Sequence, residues 1–241
     1  MDQTTPPIES GPAQPKMPAS SAIIVAGIII AVAILMTHGK STIPVDGIPQ
    51  KHVQAINIKS VRIENEPFVG NPNAPVTVAL WYDYQCPFCK KLDSEVVSQM
   101  YTDYIQTGKV KLVYKDFQFL GPDSQTAGLA SRAVWEIAPD KFYQWNTIMF
   151  DQQDAENSGW GARADILAIV RTVGVDDAKV TALMNSKAKE YQEAMDADRE
   201  EAASFGISGT PALIIGTHMI PGAESYKNVK AQIEAELAKG K

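Results

Sequence analysis

Cysteine is nearly absent from this chain of 241 residues; Cys86 and Cys89 are the only two. Two cysteines exclude the multi-disulfide framework of a small secreted scaffold. Histidine is scarce as well. His38, His52 and His218 lie far from the cysteine pair and from each other in sequence. A structural zinc site wants four ligands, so no metal site is expected. An excess of basic charge is also lacking, with 22 Lys and Arg against 28 Asp and Glu and a formal net charge of −6. Nothing therefore invites nucleic acid, and no such partner is expected. No internal repeat is visible. What remains is ordinary for a globular chain: 45% apolar and 21% charged residues, with length enough for one good core and additions to it.

Charge is missing altogether from one long stretch. Residues 22–36 read AIIVAGIIIAVAILM. With the mild flanks from Pro18 to Thr37 the apolar segment is about 20 residues, and as a helix it would cover roughly 30 Å, the thickness of a hydrocarbon core. A buried soluble helix is a poor reading, because the segment is apolar all round. A cleaved signal peptide is poor too, because the leading region is long and proline-rich, and Thr37-His38-Gly39 is an unsuitable cleavage site. The expectation is a transmembrane anchor over residues 22–37. Residues 1–21, rich in Pro, Ser, Thr and Gln, read as a disordered tail, and residues 38–60 as a linker. Lys16 and Lys40 flank the span on opposite sides, so the positive-inside rule gives no orientation.

Residues 61–241 read as an α/β domain. Val61-Arg62-Ile63 is expected to be a short strand, and residues 70–75, GNPNAP, a turn cluster. Val76 to Tyr82 is β-branched and aromatic and reads as a buried strand. After Cys86 the pattern becomes helical: Phe88, Leu92, Val96, Met100 and Tyr104 recur at four-residue spacing, with Gly108 as the stop. Val110 to Asp116 reads as a second strand. Residues 121–205 contain no good strand and five helical patterns, ending at Gly206. Ala212 to Ile215 and His218 to Ile220 read as a hairpin around Gly216-Thr217, and Asn228 to Ala238 as a closing amphipathic helix.

The cysteines stand in WYDYQCPFCKK, where the strand ends and the helix begins. Two thiols separated by two residues suit a redox pair, half of a zinc site or a local staple. Zinc fails on ligand count. A staple closing so short a loop removes little chain entropy and stabilises weakly. A redox pair fits the position, because unpaired N–H groups and the positive end of the helix dipole favour a thiolate. Lys90 and Lys91 are expected to add positive charge near Cys86. Asp83 reads as a surface or capping residue.

Together, residues 70–76, then Asp83-Tyr84-Gln85-Cys86-Pro87-Phe88-Cys89, then Gly209-Thr210-Pro211 resemble the DsbA-like thioredoxin-fold oxidoreductases of bacteria. The resemblance runs from about Val61 to Lys241 and implies a thioredoxin-like fold with an inserted helical domain at about residues 121–205. It implies that Cys86 and Cys89 form the redox-active disulfide, with Cys86 attacking or attacked and Cys89 resolving. It implies that Pro87 and Phe88 tune the pair, and that Thr210-Pro211 is a cis-proline loop facing substrate. No cofactor is implied. The implied partners are cysteine-containing exported proteins and a membrane enzyme that reoxidises the pair. The implied location is the bacterial cytoplasmic membrane, with the domain facing outward. One position departs from the family: where many relatives carry a buried acid six residues before the first cysteine, this chain has Leu80. The activities left open are oxidation of exported proteins, reduction or isomerisation on the same fold, and an anchored binding or chaperone module without redox turnover.

Overall fold

The computed structural model describes residues 55–156, 158 and 160–240. The anchor expected at residues 22–37, the tail before it and most of the linker lie outside them. Among the described residues no helix is long and apolar enough to cross a membrane.

The central strand is the apolar run after the turn cluster: β2, here numbered after a short edge strand, spans Val76–Tyr82. Its side chains alternate between two faces. Val78, Leu80 and Tyr82 enter one core, while Ala79 and Trp81 enter the other. Strand β3 (Val110–Asp116) lies parallel to it, with Val76 opposite Val110 and Tyr82 opposite Asp116. Strand β4 (Ala212–Ile215) is antiparallel on its other side, and β5 (His218–Pro221) pairs antiparallel with β4. The far edge is β1 (Phe68–Gly70), antiparallel to β3, so the sheet order is β1-β3-β2-β4-β5.

The strand expected at Val61-Arg62-Ile63 is not formed. The Arg62 amide donates to Glu201 Oε1 and the Arg62 carbonyl accepts from Lys115 Nζ, so its backbone is satisfied by side chains rather than by a ladder. The edge strand is five residues further on. Upstream, Asn57 caps a single 3₁₀ turn, Ile58–Ser60, and the Ile58 amide donates to the Gly216 carbonyl at 2.7 Å.

The helix after the cysteines starts as α1 (Pro87–Leu92) and runs on through Asp93–Val97, Ser98–Met100 and Tyr101–Ile105. The second and fourth of these stretches are π-helical. A stripe spaced at four residues drifts by about 40° per step on an ideal α-helix. Wider π turns remove that drift, and Leu92, Val96, Met100 and Tyr104 are all buried. Phe88 does not belong to the stripe: it is 62% exposed. Gly108 ends the rod with a φ of 73°.

Between β3 and β4 lie α2 (Pro122–Ile137), α3 (Phe142–Asp151), α4 (Arg163–Thr172), α5 (Asp177–Ser186) and α6 (Ala188–Ser204); α7 (Tyr226–Lys239) follows β5. The helical block matches the sequence reading, with one addition. Ala202, just before the end of α6, and Phe205 and Ile207 after it pack with Trp81, Phe117 and Ile214, so the last helix of the block also covers the sheet's second face.

That face carries buried charge. Lys115 on β3 is fully buried, with Nζ 3.1 Å from Glu66 and 2.5 Å from Asp198. Arg132 of α2 reaches Glu66, Asp116 and Asp198 at 2.8, 2.7 and 2.8 Å. Desolvation opposes the charge on Lys115, yet Asp198 and Glu66 beside it hold its pKa above the ordinary value. Arg62, half-exposed, adds a third cation at 2.7 Å from Asp198. Removing one member leaves buried carboxylates uncompensated, which costs about 3–5 kcal/mol. Arg132→Met is therefore expected to lower the unfolding free energy of the protein by that amount, measured by urea denaturation at neutral pH.

Candidate active site

Cys86 is the N-cap of α1, in extended conformation, and Pro87 occupies the first helical position, where a missing N–H is no loss. Its carbonyl accepts from the amides of Cys89 and Lys90 at 3.0 and 3.2 Å. Pro87 and Phe88 are exposed, whereas both cysteines are buried free thiols. The Thr210-Pro211 peptide is cis, and the Cys86 thiol donates to the Thr210 carbonyl at 3.4 Å. Strand pairing explains the meeting. Cys86 follows the end of β2, Thr210 precedes β4, and these strands are neighbours with Trp81 opposite Ala212. All six residues singled out from the sequence therefore lie at one end of the sheet.

The two thiols differ. Cys86 is lowered to about 6, chiefly by a hydrogen bond from the Cys89 thiol. Burial works against this, and the Thr210 hydroxyl and the amides of Cys89 and Phe88 add to it. The Thr210 hydroxyl is buried with no well-formed hydrogen bond of its own elsewhere in the protein, which leaves it free for the sulfurs. Cys89 is pushed well above its ordinary value, first by burial and then by its role as donor to Cys86. The thiolate is thus favoured by directed hydrogen bonds at a helix start. Lysine contributes differently from expectation: the Lys90 ammonium is turned away to the carbonyls of Asp151 and Gln153, at 3.1 and 2.9 Å, where it fastens the end of α3.

Three residues of the site's surroundings were not legible in the sequence. Asp83 is not a surface residue. It is fully buried, and its carboxylate accepts from the amides of Gln85, Phe119 and Leu120 and from Ser124 Oγ, at 2.8, 2.9, 3.1 and 2.5 Å. Gln153, from the loop after α3, donates through Nε2 to the carbonyls of Tyr84 and Cys86. Asp93, four residues after Cys89, is buried beside the aromatic core and meets the Asn146 amide at 3.4 Å. Burial, followed by the nearby Asp151 charge, raises its carboxyl to about 7. Leu80 is buried within the apolar core. The only advance signal for these three was polar character inside otherwise apolar or helical runs, which says nothing of partners.

A family model described as Thioredoxin matches residues 62–235. The chain belongs to the thioredoxin family. Within the family it is similar to "Disulfide bond formation protein D" of Bacillus subtilis, at 29% identity over 182 residues, covering 74% of this chain and 80% of that one. It is 25% identical over 227 residues to "Probable disulfide bond formation protein D" of Bacillus anthracis, covering 92% of this chain and all of that one, 100%. The crystal structure of oxidised BdbD from Bacillus subtilis superposes with a TM-score of 0.68 at 26% identity, over 78% of this chain and 98% of that one. The DsbA-like resemblance and the thioredoxin-like fold with a helical insertion are borne out.

Two outcomes follow for titration. The Cys86 pKa is lowered on folding, so the reduced protein gains stability above the unfolded thiol value of about 8.5 and loses it as pH falls through about 6. Thiolate absorbance at 240 nm is expected to rise once with a midpoint near 6, and Cys86→Ser is expected to abolish that step. The Asp93 pKa is raised from an unfolded value of about 3.9, so its contribution is favourable at low pH and is lost as pH rises through about 7. Asp93→Asn keeps an acceptor for Asn146. It is expected to leave urea stability at about pH 4 unchanged and to raise it at about pH 8.

Proposed function

We propose that this protein is a thiol–disulfide oxidoreductase that oxidises cysteine pairs in exported proteins through Cys86 and Cys89. The asymmetry of the two thiols carries the reading. In the oxidised form a substrate thiolate attacks Cys86 Sγ, the Cys86–Cys89 bond breaks, and Cys89 departs. Its raised pKa means that it takes a proton readily. A second substrate thiolate then attacks the substrate sulfur of the mixed disulfide, and Cys86 leaves as a stabilised thiolate. The substrate has lost two electrons and the protein has gained them. A good leaving group makes the disulfide a strong oxidant.

Thr210 and Pro211 would line the substrate's approach, offering backbone groups beside Cys86, and Pro87 and Phe88 would set the potential. The relatives' names speak for disulfide formation. Disulfide donors work in oxidising compartments, so the domain is assigned to the outer side of the cytoplasmic membrane. There a membrane redox partner would take up the electrons. Residues 22–37 would tether it, with residues 1–21 as a tail and residues 38–60 as the linker to the domain beginning near residue 61.

The reduction potential separates oxidation from reduction. Equilibration with glutathione is expected to place it well above thioredoxin's value of about −270 mV; a result at or below that value would overturn the oxidase assignment in favour of a reductase. Cys89→Ala is expected to accumulate mixed disulfides between Cys86 and exported proteins. A gel without adducts would instead favour a binding module with incidental cysteines.

A further inference from the structure

Two side chains cross in opposite directions between the start of α1 and the end of α3. From α1, Lys90 Nζ donates to the carbonyls of Asp151 and Gln153, at 3.1 and 2.9 Å. From the loop after α3, Gln153 Nε2 donates to the carbonyls of Tyr84 and Cys86. A primary amide carries two N–H donors, and Gln153 gives both to the turn that presents Cys86. Each segment's side chain therefore fastens the other's main chain, across 61 to 69 residues of sequence.

Helix α3 is a firm base for this hold. Phe150 is buried and packs against the Tyr84 ring, 5.2 Å between centroids. Asn146 Oδ1 accepts from the Tyr84 hydroxyl at 2.9 Å. The Gln153 amide donates to the Phe150 carbonyl at 3.1 Å, so its side chain leaves from a fixed turn. Gln153 is itself buried, where a hydrogen bond is stronger than in water. On the other side the Cys86 thiol meets the Thr210 carbonyl at 3.4 Å. The aim of that sulfur follows its main chain, which Gln153 holds. Both cysteines are free thiols in this arrangement, so the hold is matched to the dithiol form. Whatever stabilises the dithiol over the disulfide makes the pair a stronger oxidant.

We propose that Gln153 and Lys90 are paired positioning residues for the Cys86–Cys89 couple: their reciprocal hold keeps the Cys86 turn in its dithiol geometry and raises the reduction potential. The competing account is an ammonium acting through space, in which Lys90 favours the thiolate by its charge whatever Gln153 does. The proposal rests on the redox reading above.

The test uses the full-length protein in detergent, equilibrated with glutathione. Two glutathione thiols reduce the protein disulfide to the dithiol and become one glutathione disulfide, so two electrons and two protons pass to the protein. Gln153→Met keeps the length and removes both donors. It is expected to shift this equilibrium about tenfold toward the protein disulfide, equal to about 30 mV, and to raise the midpoint of the thiolate absorbance. Lys90→Met should give a similar shift, and the double variant no more than either alone. In urea, Gln153→Met should lower the folding constant of the dithiol form about tenfold more than that of the disulfide form, because the two measurements close one cycle. The proposal is overturned if Gln153→Met leaves the glutathione equilibrium unchanged, if it weakens both forms alike, or if the two single effects add. Should Gln153→Met not fold, Lys90→Met decides: its shift persists in about 1 M salt if the hold is responsible, and its loss there, where charge is screened, overturns the proposal. An unaltered protein that does not exchange with glutathione would instead sink the redox reading itself.

Discussion

Charge buried beneath the sheet is the constraint on which the remainder depends. Lys115 and Arg132 cannot leave water unless carboxylates meet them, and Glu66, Asp116 and Asp198 cannot be buried without those cations. The partners come from the segment before β1, from β3, from α2 and from α6. Satisfying them draws two helices of the inserted block onto the sheet at defined positions. The Trp81 indole adds a hydrogen bond to the Asp198 carbonyl at 3.1 Å, tying the same helix to the central strand. The insertion is thus fastened to the sheet at its beginning and its end rather than hinged on a loop.

A rigid strand end gives the thiol pair its chemistry. The Cys86 thiolate depends on donors that must already point at it: a neighbouring thiol, a hydroxyl from the loop before β4, and amides of the first helical turn. None gains much from flexibility, because a hydrogen bond found by search costs the entropy of ordering both groups. Asp83 and Gln153 supply the ordering. Asp83 binds the loop after β3 to the turn before Cys86, and Gln153 binds the loop after α3 to the same turn. The site is therefore framed from two sides by the Asp83 carboxylate and the Gln153 amide.

Elements with strong period were legible beforehand. The strands β2, β3 and β4, the long helix, the five helices of the block and the hairpin all declare themselves by alternation or by a helical stripe, and glycines end them where positive φ is needed. Val61-Arg62-Ile63 misled because its composition is β-like, while the Arg62 backbone bonds to Glu201 and Lys115, more than fifty residues away, and the Val61 amide closes the turn to the Ile58 carbonyl. Phe88 misled because it keeps the spacing of the stripe but precedes the turn at which the helix enters the core.

By itself the sequence singled out the candidate redox pair. Cysteine scarcity, the two-residue spacing and the strand-to-helix junction all point to Cys86 and Cys89, and these are local properties that chain order alone expresses. Tertiary structure decided what stands around that pair. Thr210 and Gln153 reach it from distant segments, and Asp83 ties the loop after β3 to its turn; these roles arise from sheet order and burial, which pair residues that sequence distance keeps apart. The direction of the Lys90 charge was decided in the same way. Its ammonium donates to the carbonyls of Asp151 and Gln153, at and just beyond the end of α3, a neighbour that only the packing of α3 against α1 brings within reach.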